Sequence, residues 1–245
     1  VSELADAVAG VGAGETVWLG NFGAQLFAVG DELVRQRARD LHVVIGSGGL
    51  LLDRLVEAGV VAEVTFAHCW SAVGPAPARE FRRAWQDGSA IRWHELPLGA
   101  LSAALTAAGQ GVPFAPVAVH PDTGYAQWSG GLLARADSPF GTTTVVRALP
   151  VDVAFVHADL AEPGGDSAFG APGGEAVAAA LAARHVVVVT EELTTAERVR
   201  ERGVDLPGLL VDTVVEVPGA VAPDGVAGRY PRDVAAYQEY AGRRP

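Results

Sequence analysis

The 245-residue chain is 49% hydrophobic and 19% charged, with a formal net charge of −11. That is apolar material enough for a large core, and a composition unlike that of a disordered chain. No basic stripe runs along any predicted face, so nucleic acid and anionic membrane are excluded as expected partners, because both demand clustered positive charge.

The single cysteine, Cys69, cannot form an internal disulfide, which suits a reducing compartment. No apolar run is long enough to span a bilayer, and the acidic stretch VSELADAVAG is unlike the basic start of a signal peptide. The expectation is a cytoplasmic protein.

Taken in chain order, strand and helix signals alternate. ETVWLG (15–20) reads as a strand, and VGDELVRQRA (29–38) as a helix with acidic residues in its first turn. LHVVIG (41–46) is a fully apolar strand, SGG follows, and the helix LLLDRLVEAG closes on Gly59. VAEVTFAH (61–68) is the next strand, REFRRAW (79–85) a short helix, and AIRWHEL (90–96) a strand with Ile91, Trp93 and Glu95 on one face. LGALSAALTAAGQG (98–111) reads as a helix with Leu98, Leu101 and Leu105 along one stripe.

Residues 113–141 are rich in Pro, Gly, Ser and Asp and read as a long functional or mobile connection. Regular signals return with the strand VDVAFVHA (151–158), an alanine-dense helix (174–184) and the strand HVVVVTEE (185–192). The strand GLLVDTVVEVP (208–218) and a helix at 231–240 complete the series. Strands such as 186–189 lack polar alternation, the mark of a parallel sheet covered on both faces. The expectation is an α/β fold with an open, mostly parallel sheet flanked by helices, residues 1–245 forming a single domain.

Ligands of open α/β sheets sit beyond the carboxyl ends of the strands, and three features converge there. Gly20, Asn21, Phe22 and Gly23 follow the first strand; glycines there let backbone N–H groups approach a ligand oxygen or oxyanion, the alternative being an ordinary turn. Ser47, Gly48 and Gly49 repeat the arrangement after the next strand. Glu95 is the third. A helix N-terminus nearby favours its ionised form and burial opposes it, so it is either a catalytic carboxylate or a plain complement to the helix dipole.

Weaker features surround these. Arg79, Arg82 and Arg83 are candidates to meet phosphates, against the reading of a solvated face. His68 stands beside Cys69, yet no second His or Cys has ligand spacing, so no metal site is expected. Ser129 lacks the strained elbow of a serine nucleophile, and His157 reads as a hydrogen-bonded core histidine.

Several stretches in order resemble the α-type subunit of the family I CoA-transferases, almost end to end. They are ETVWLGNFG, DLHVVIGSGGLLLDRLVEAGVVAEV, HELPLGALSAALTAAGQGVPFAP, LPVDVAFVHADLAEPGGDSAFG, AARHVVVVTEEL and LLVDTVVEVPGAVAP followed by RYPRDVAAYQEY.

The resemblance implies a CoA-transferase-type fold, a β-type partner in an α2β2 heterotetramer, and an active site at the α–β interface. Coenzyme A enters as part of an acyl-CoA substrate, with no tightly bound cofactor. In such transferases the glutamate that carries the covalent intermediate belongs to the β-type half, so Glu95 is not its counterpart. Around Glu95 the chain is closer to the heteromeric steroid-ring-degrading branch, which hydrolyses a cyclic keto acyl-CoA. That branch implies a catalytic carboxylate at Glu95. Departures include Gly20-Asn21-Phe22 where the family often has Gly-Gly-Phe, and HPDTGYAQW in place of a shorter segment.

Overall fold

The computed structural model describes residues 1–21, 24–74, 78–120, 122–170 and 172–242. In its first half, α1 (Leu4–Ala9), β1 (Thr16–Asn21), β2 (Ala24–Gln25) and α2 (Phe27–Arg35) lead to β3 (Leu41–Ser47) and α3 (Gly49–Glu57). There follow β4 (Val61–His68), α4 (Arg79–Gln86), β5 (Arg92–Glu95) and α5 (Leu98–Gly109). The second half holds β6 (Phe114–Val117), α6 (Tyr125–Trp128), β7 (Leu133–Ser138), β8 (Gly141–Arg147), β9 (Val151–Ala161) and β10 (Ser167–Ala168). It ends with α7 (Ala176–Ala182), β11 (Ala183–Leu193), α8 (Ala196–Arg202), β12 (Thr213–Glu216) and α9 (Val234–Gly242).

The main sheet runs β12-β11-β9-β1-β3-β4-β5, every neighbour along that path parallel, with β2 and β10 as short antiparallel additions. The chain builds outward from β1 in one direction through β5, then returns beside β1 with β9 and builds the other way. Both faces are covered. Val43 and Ile45 pack into one core with α2, α3 and α9, whereas Val44 packs into the other with α5 and α7. A strand apolar on both sides follows directly from that double cover.

Several expectations need correction, among them the strand at 208–218, which is confined to β12 and preceded by a 3-10 turn at Gly208–Leu210. Residues 113–141 are not a structureless connection: β6, β8 and β7 form a three-stranded antiparallel sheet, with α6 between β6 and β7. The polar, glycine-rich composition reflects strands that are mostly solvent-facing, as in β7. The alanine-rich helix stops at Ala182, and residues 183–184 already belong to β11. Leu101 and Leu105 are buried as their stripe predicts, but Leu98 is 39% exposed because it sits in the first turn, ahead of the covered part of α5.

Glycine is required where the chain doubles back after β1. Gly20 has φ +95°, and a Cβ there would stand 2.6 Å from the Ala24 carbonyl oxygen, a position open only to a residue without a side chain.

Candidate functional site

The register of the parallel strands builds the site. Ser47 ends β3 and pairs with His68, which ends β4; Phe66, two residues earlier on β4, pairs with Glu95, which ends β5. Three polar residues in separate sequence segments thus stand side by side on the carboxyl rim. Strand alternation turns Glu95 to the same side as Phe66 and Trp93, whose rings pack at 6.3 Å, while its neighbour Leu96 is buried under α5 on the opposite side. The start of α5 is near Glu95 along the chain, but the helix that walls the Glu95 cavity is α4.

Glu95 lines a cavity of about 430 Å3 with Phe66, His68, Trp70, Phe81, Arg82 and Trp85 among its walls, a size ordinary for small-molecule sites. The aromatic wall is interlocked: Phe81 lies 5.2 Å from Phe66 and 4.9 Å from Trp93, and Trp85 lies 5.1 Å from Trp128. Neither the Glu95 carboxylate nor the Arg82 guanidinium has a hydrogen-bond or ion-pair partner among the described residues. Two opposite charges border one apolar-walled space and are not spent on each other.

The helix carrying Phe81, Arg82 and Trp85 is held by a buried carboxylate. Asp53 on α3 accepts from the Arg79 and Phe81 backbone N–H groups at 3.0 and 2.7 Å and from the Tyr240 hydroxyl at 2.9 Å. These N–H groups belong to the first turn of α4 and have no helical partner of their own. Asp53→Ala is expected to destabilise the fold by about 2 kcal/mol through the stranded donors. Chemical denaturation would read this, and an unchanged midpoint would refute it.

The arginines part company. Arg79 donates to the Tyr240 carbonyl at 2.8 Å and Arg83 pairs with Glu80 on the same helix at 2.5 Å. Only Arg82 of the three borders the Glu95 cavity. Cys69 borders it too, but burial, and then the charge of Asp53, push its thiol far above the ordinary value, so a nucleophilic thiolate is not on offer at neutral pH.

The Ser47–Gly49 turn opens on this rim. Gly49 has φ +50°, and a Cβ there would stand 3.0 Å from the Trp70 carbonyl oxygen. Gly48 N–H donates to the His68 carbonyl at 2.8 Å, and the Gln25 amide donates to the Ser47 carbonyl. Gly20 lies at the carboxyl end of β1, next to β3 in the sheet, so the two glycine turns share the rim. Phe22 and Gly23, and the side chain of Asn21, lie outside the described residues.

Sequence reasoning passed over His68 except as a metal ligand. Its signal was its position as the last residue of an apolar strand, the same place Ser47 and Glu95 hold. Among the described residues, no group of three or more His, Cys, Asp or Glu side chains is arranged to hold a metal ion, and no helix is long and apolar enough to cross a membrane.

A second polar cluster ties the far side of the rim. His157, a core histidine as expected, lies 3.1 Å from Glu191, which also accepts from the Tyr230 hydroxyl at 2.6 Å and the Gly219 N–H at 2.7 Å. Burial alone would raise the Glu191 pKa; these three partners together hold it below the ordinary carboxylate range.

The model of the coenzyme A transferase family matches residues 1–217. The chain belongs to that family. One of the subunits of glutaconate CoA-transferase from Acidaminococcus fermentans is 29% identical to this coenzyme A transferase family member over 257 residues, spanning 95% of this chain and 79% of the relative. The crystal structure of glutaconate coenzyme A-transferase from that organism superposes with a TM-score of 0.90 at 27% identity, over 98% of this chain and 82% of the other.

The cholesterol ring-cleaving hydrolase IpdA subunit of Mycobacterium tuberculosis is 29% identical over 252 residues, 97% of this chain and 86% of the relative. A crystal structure of the decarboxylase AibA/AibB matches with a TM-score of 0.87 and 28% identity, over 98% and 91% of the two chains. These relatives agree with the expected fold and with both branches of the resemblance.

Proposed function

We propose that this coenzyme A transferase family member is the α-type half of a heteromeric enzyme that moves CoA between an acyl-CoA thioester and a carboxylic acid. A β-type partner completes the site, in an α2β2 arrangement and a cytoplasmic setting, with residues 1–245 acting as one α-type unit. The family match over residues 1–217 carries this reading. Exchanging a thioester for a mixed anhydride develops negative charge on a carbonyl oxygen at each step, and in this reading the backbone N–H groups of the rim glycines, Gly20 and Gly49 among them, meet that charge. Arg82 borders the Glu95 cavity and in this reading meets an anionic group of CoA, since Arg79 and Arg83 are already engaged. Coenzyme A is substrate here, with no tightly bound cofactor.

The test is a panel of short-chain, dicarboxylic and cyclic keto acyl-CoA thioesters offered to the complex with its β-type partner. The expected result is exchange of CoA, with a thioester trapped on the partner and reducible by borohydride. Turnover of no member of the panel overturns the acyl-CoA reading.

One observation favours a second reading, hydrolysis of a cyclic keto acyl-CoA. The Glu95 carboxylate borders an aromatic-walled cavity without a partner among the described residues, which leaves its oxygens available to exchange a proton with a bound substrate. Turnover without any trapped adduct would select this reading over transfer.

A further inference from the structure

The carboxyl rim holds a second cavity of about 170 Å3, lined by Gln25, Ser47 and Gly49 among others, and His68 and Trp70 border both this space and the Glu95 cavity. Ser47 Oγ lies 2.9 Å from His68 Nε2. The two residues are register partners on adjacent parallel strands, so the pairing is set by the sheet itself. Their backbones are tied as well, through Gly48 N–H to the His68 carbonyl and the Gln25 amide to the Ser47 carbonyl. No step described above uses His68.

We infer that His68 is a positioning residue that aims the Ser47 hydroxyl at the carbonyl oxygen of a bound acyl thioester, an inference that rests on the acyl-CoA reading above. A serine hydroxyl has one proton and rotates to suit its surroundings. When His68 Nε2–H donates to Oγ, the hydroxyl proton turns away from the imidazole and is left for a ligand oxygen. The other tautomer would draw that proton to the ring. Ser47 is the group that touches substrate, and His68 acts through it. A donor fixed before the reaction stabilises charge that develops on the carbonyl oxygen without reorganising at that moment. The placement between the two cavities lets the acyl group lie on the Glu95 side while its carbonyl faces Ser47.

Steady-state kinetics of the heteromeric complex test this, with the panel thioester turned over fastest by the wild type. Ser47→Ala is expected to lower kcat by about 100-fold with KM little changed, because the bond strengthens as charge develops. Ser47→Thr, which keeps the hydroxyl, recovers most of that loss. His68→Leu falls like Ser47→Ala, and His68→Gln, whose amide nitrogen can stand near the place of Nε2, recovers much of it. The double variant Ser47→Ala, His68→Leu is no slower than the worse single variant, since both remove one interaction.

A wild-type complex inactive on the whole panel fails the acyl-CoA reading itself. An active wild type with Ser47→Ala within about twofold of it, or losses that multiply in the double variant, overturns the His68–Ser47 inference alone. Size-exclusion of each complex separates lost assembly from lost chemistry.

Discussion

Glu95→Gln in the assembled complex is expected to lower turnover of a cyclic keto acyl-CoA by about 1,000-fold, the range of a lost general acid or base. The substitution keeps the size and polarity of the side chain and removes the charge. Glu95 ends an edge strand and has no hydrogen-bond or ion-pair partner among the described residues, so little stability should be lost with it. The expected signature is therefore a collapse of kcat with the heteromer still associated and the melting temperature within a few degrees. The result also discriminates between reactions. If transfer through a glutamate of the partner is the chemistry, a trapped thioester persists and Glu95→Gln slows exchange only mildly. Unchanged hydrolysis in the variant would remove Glu95 from the mechanism.

Acid is expected to unfold the protein through two separate groups. The His42 imidazole bonds Thr65 at 2.8 Å and Thr16 at 3.3 Å between the parallel strands. Burial is the largest influence on it and drives its pKa from the ordinary 6.5 to about 4; Glu63 opposes that shift, and His94 and Arg92 reinforce it. Between those values the unfolded chain binds a proton that the folded chain refuses. Stability is therefore whole above about pH 6.5 and falls as pH drops toward 4, by on the order of 3 kcal/mol.

Glu191 acts lower on the scale. Its folded pKa lies below the ordinary 4.5, so its contribution is present above that value and is lost as pH falls through the folded pKa. Denaturant melts at pH 7, 5.5 and 4 should show the loss, and His42→Gln should flatten it above pH 4. A variant with the wild-type pH dependence would rule His42 out as its source.

Much of the fold was legible locally. Uninterrupted apolar runs such as 186–189 marked strands buried on both faces, and glycines after β1 and β3 marked the turns where a backbone can approach a ligand. The placement of Glu95 at a strand end was legible for the same reason: alternation put it with Trp93. Other parts were hidden because their cues were weak or nonlocal. The sheet formed by β6, β8 and β7 is only partly covered, so its segments lack the apolar signature that identifies a core strand. The short helices α1 and α8 carry too few turns for a clear period.

The sequence by itself determined which apolar segments become strands of the main sheet and where the rim turns fall, because hydrophobic periodicity and glycine's backbone freedom act over a few neighbours. Only the tertiary structure decided who meets whom on that rim. Ser47 and His68 are 21 residues apart and are joined by sheet register. Asp53 reaches Tyr240 across 187 residues and seats the wall of the Glu95 cavity. His157 and Glu191, 34 residues apart, satisfy one another in the interior. Such pairings follow from the need of buried polar groups for partners, a demand that arises only once the chain has closed around them.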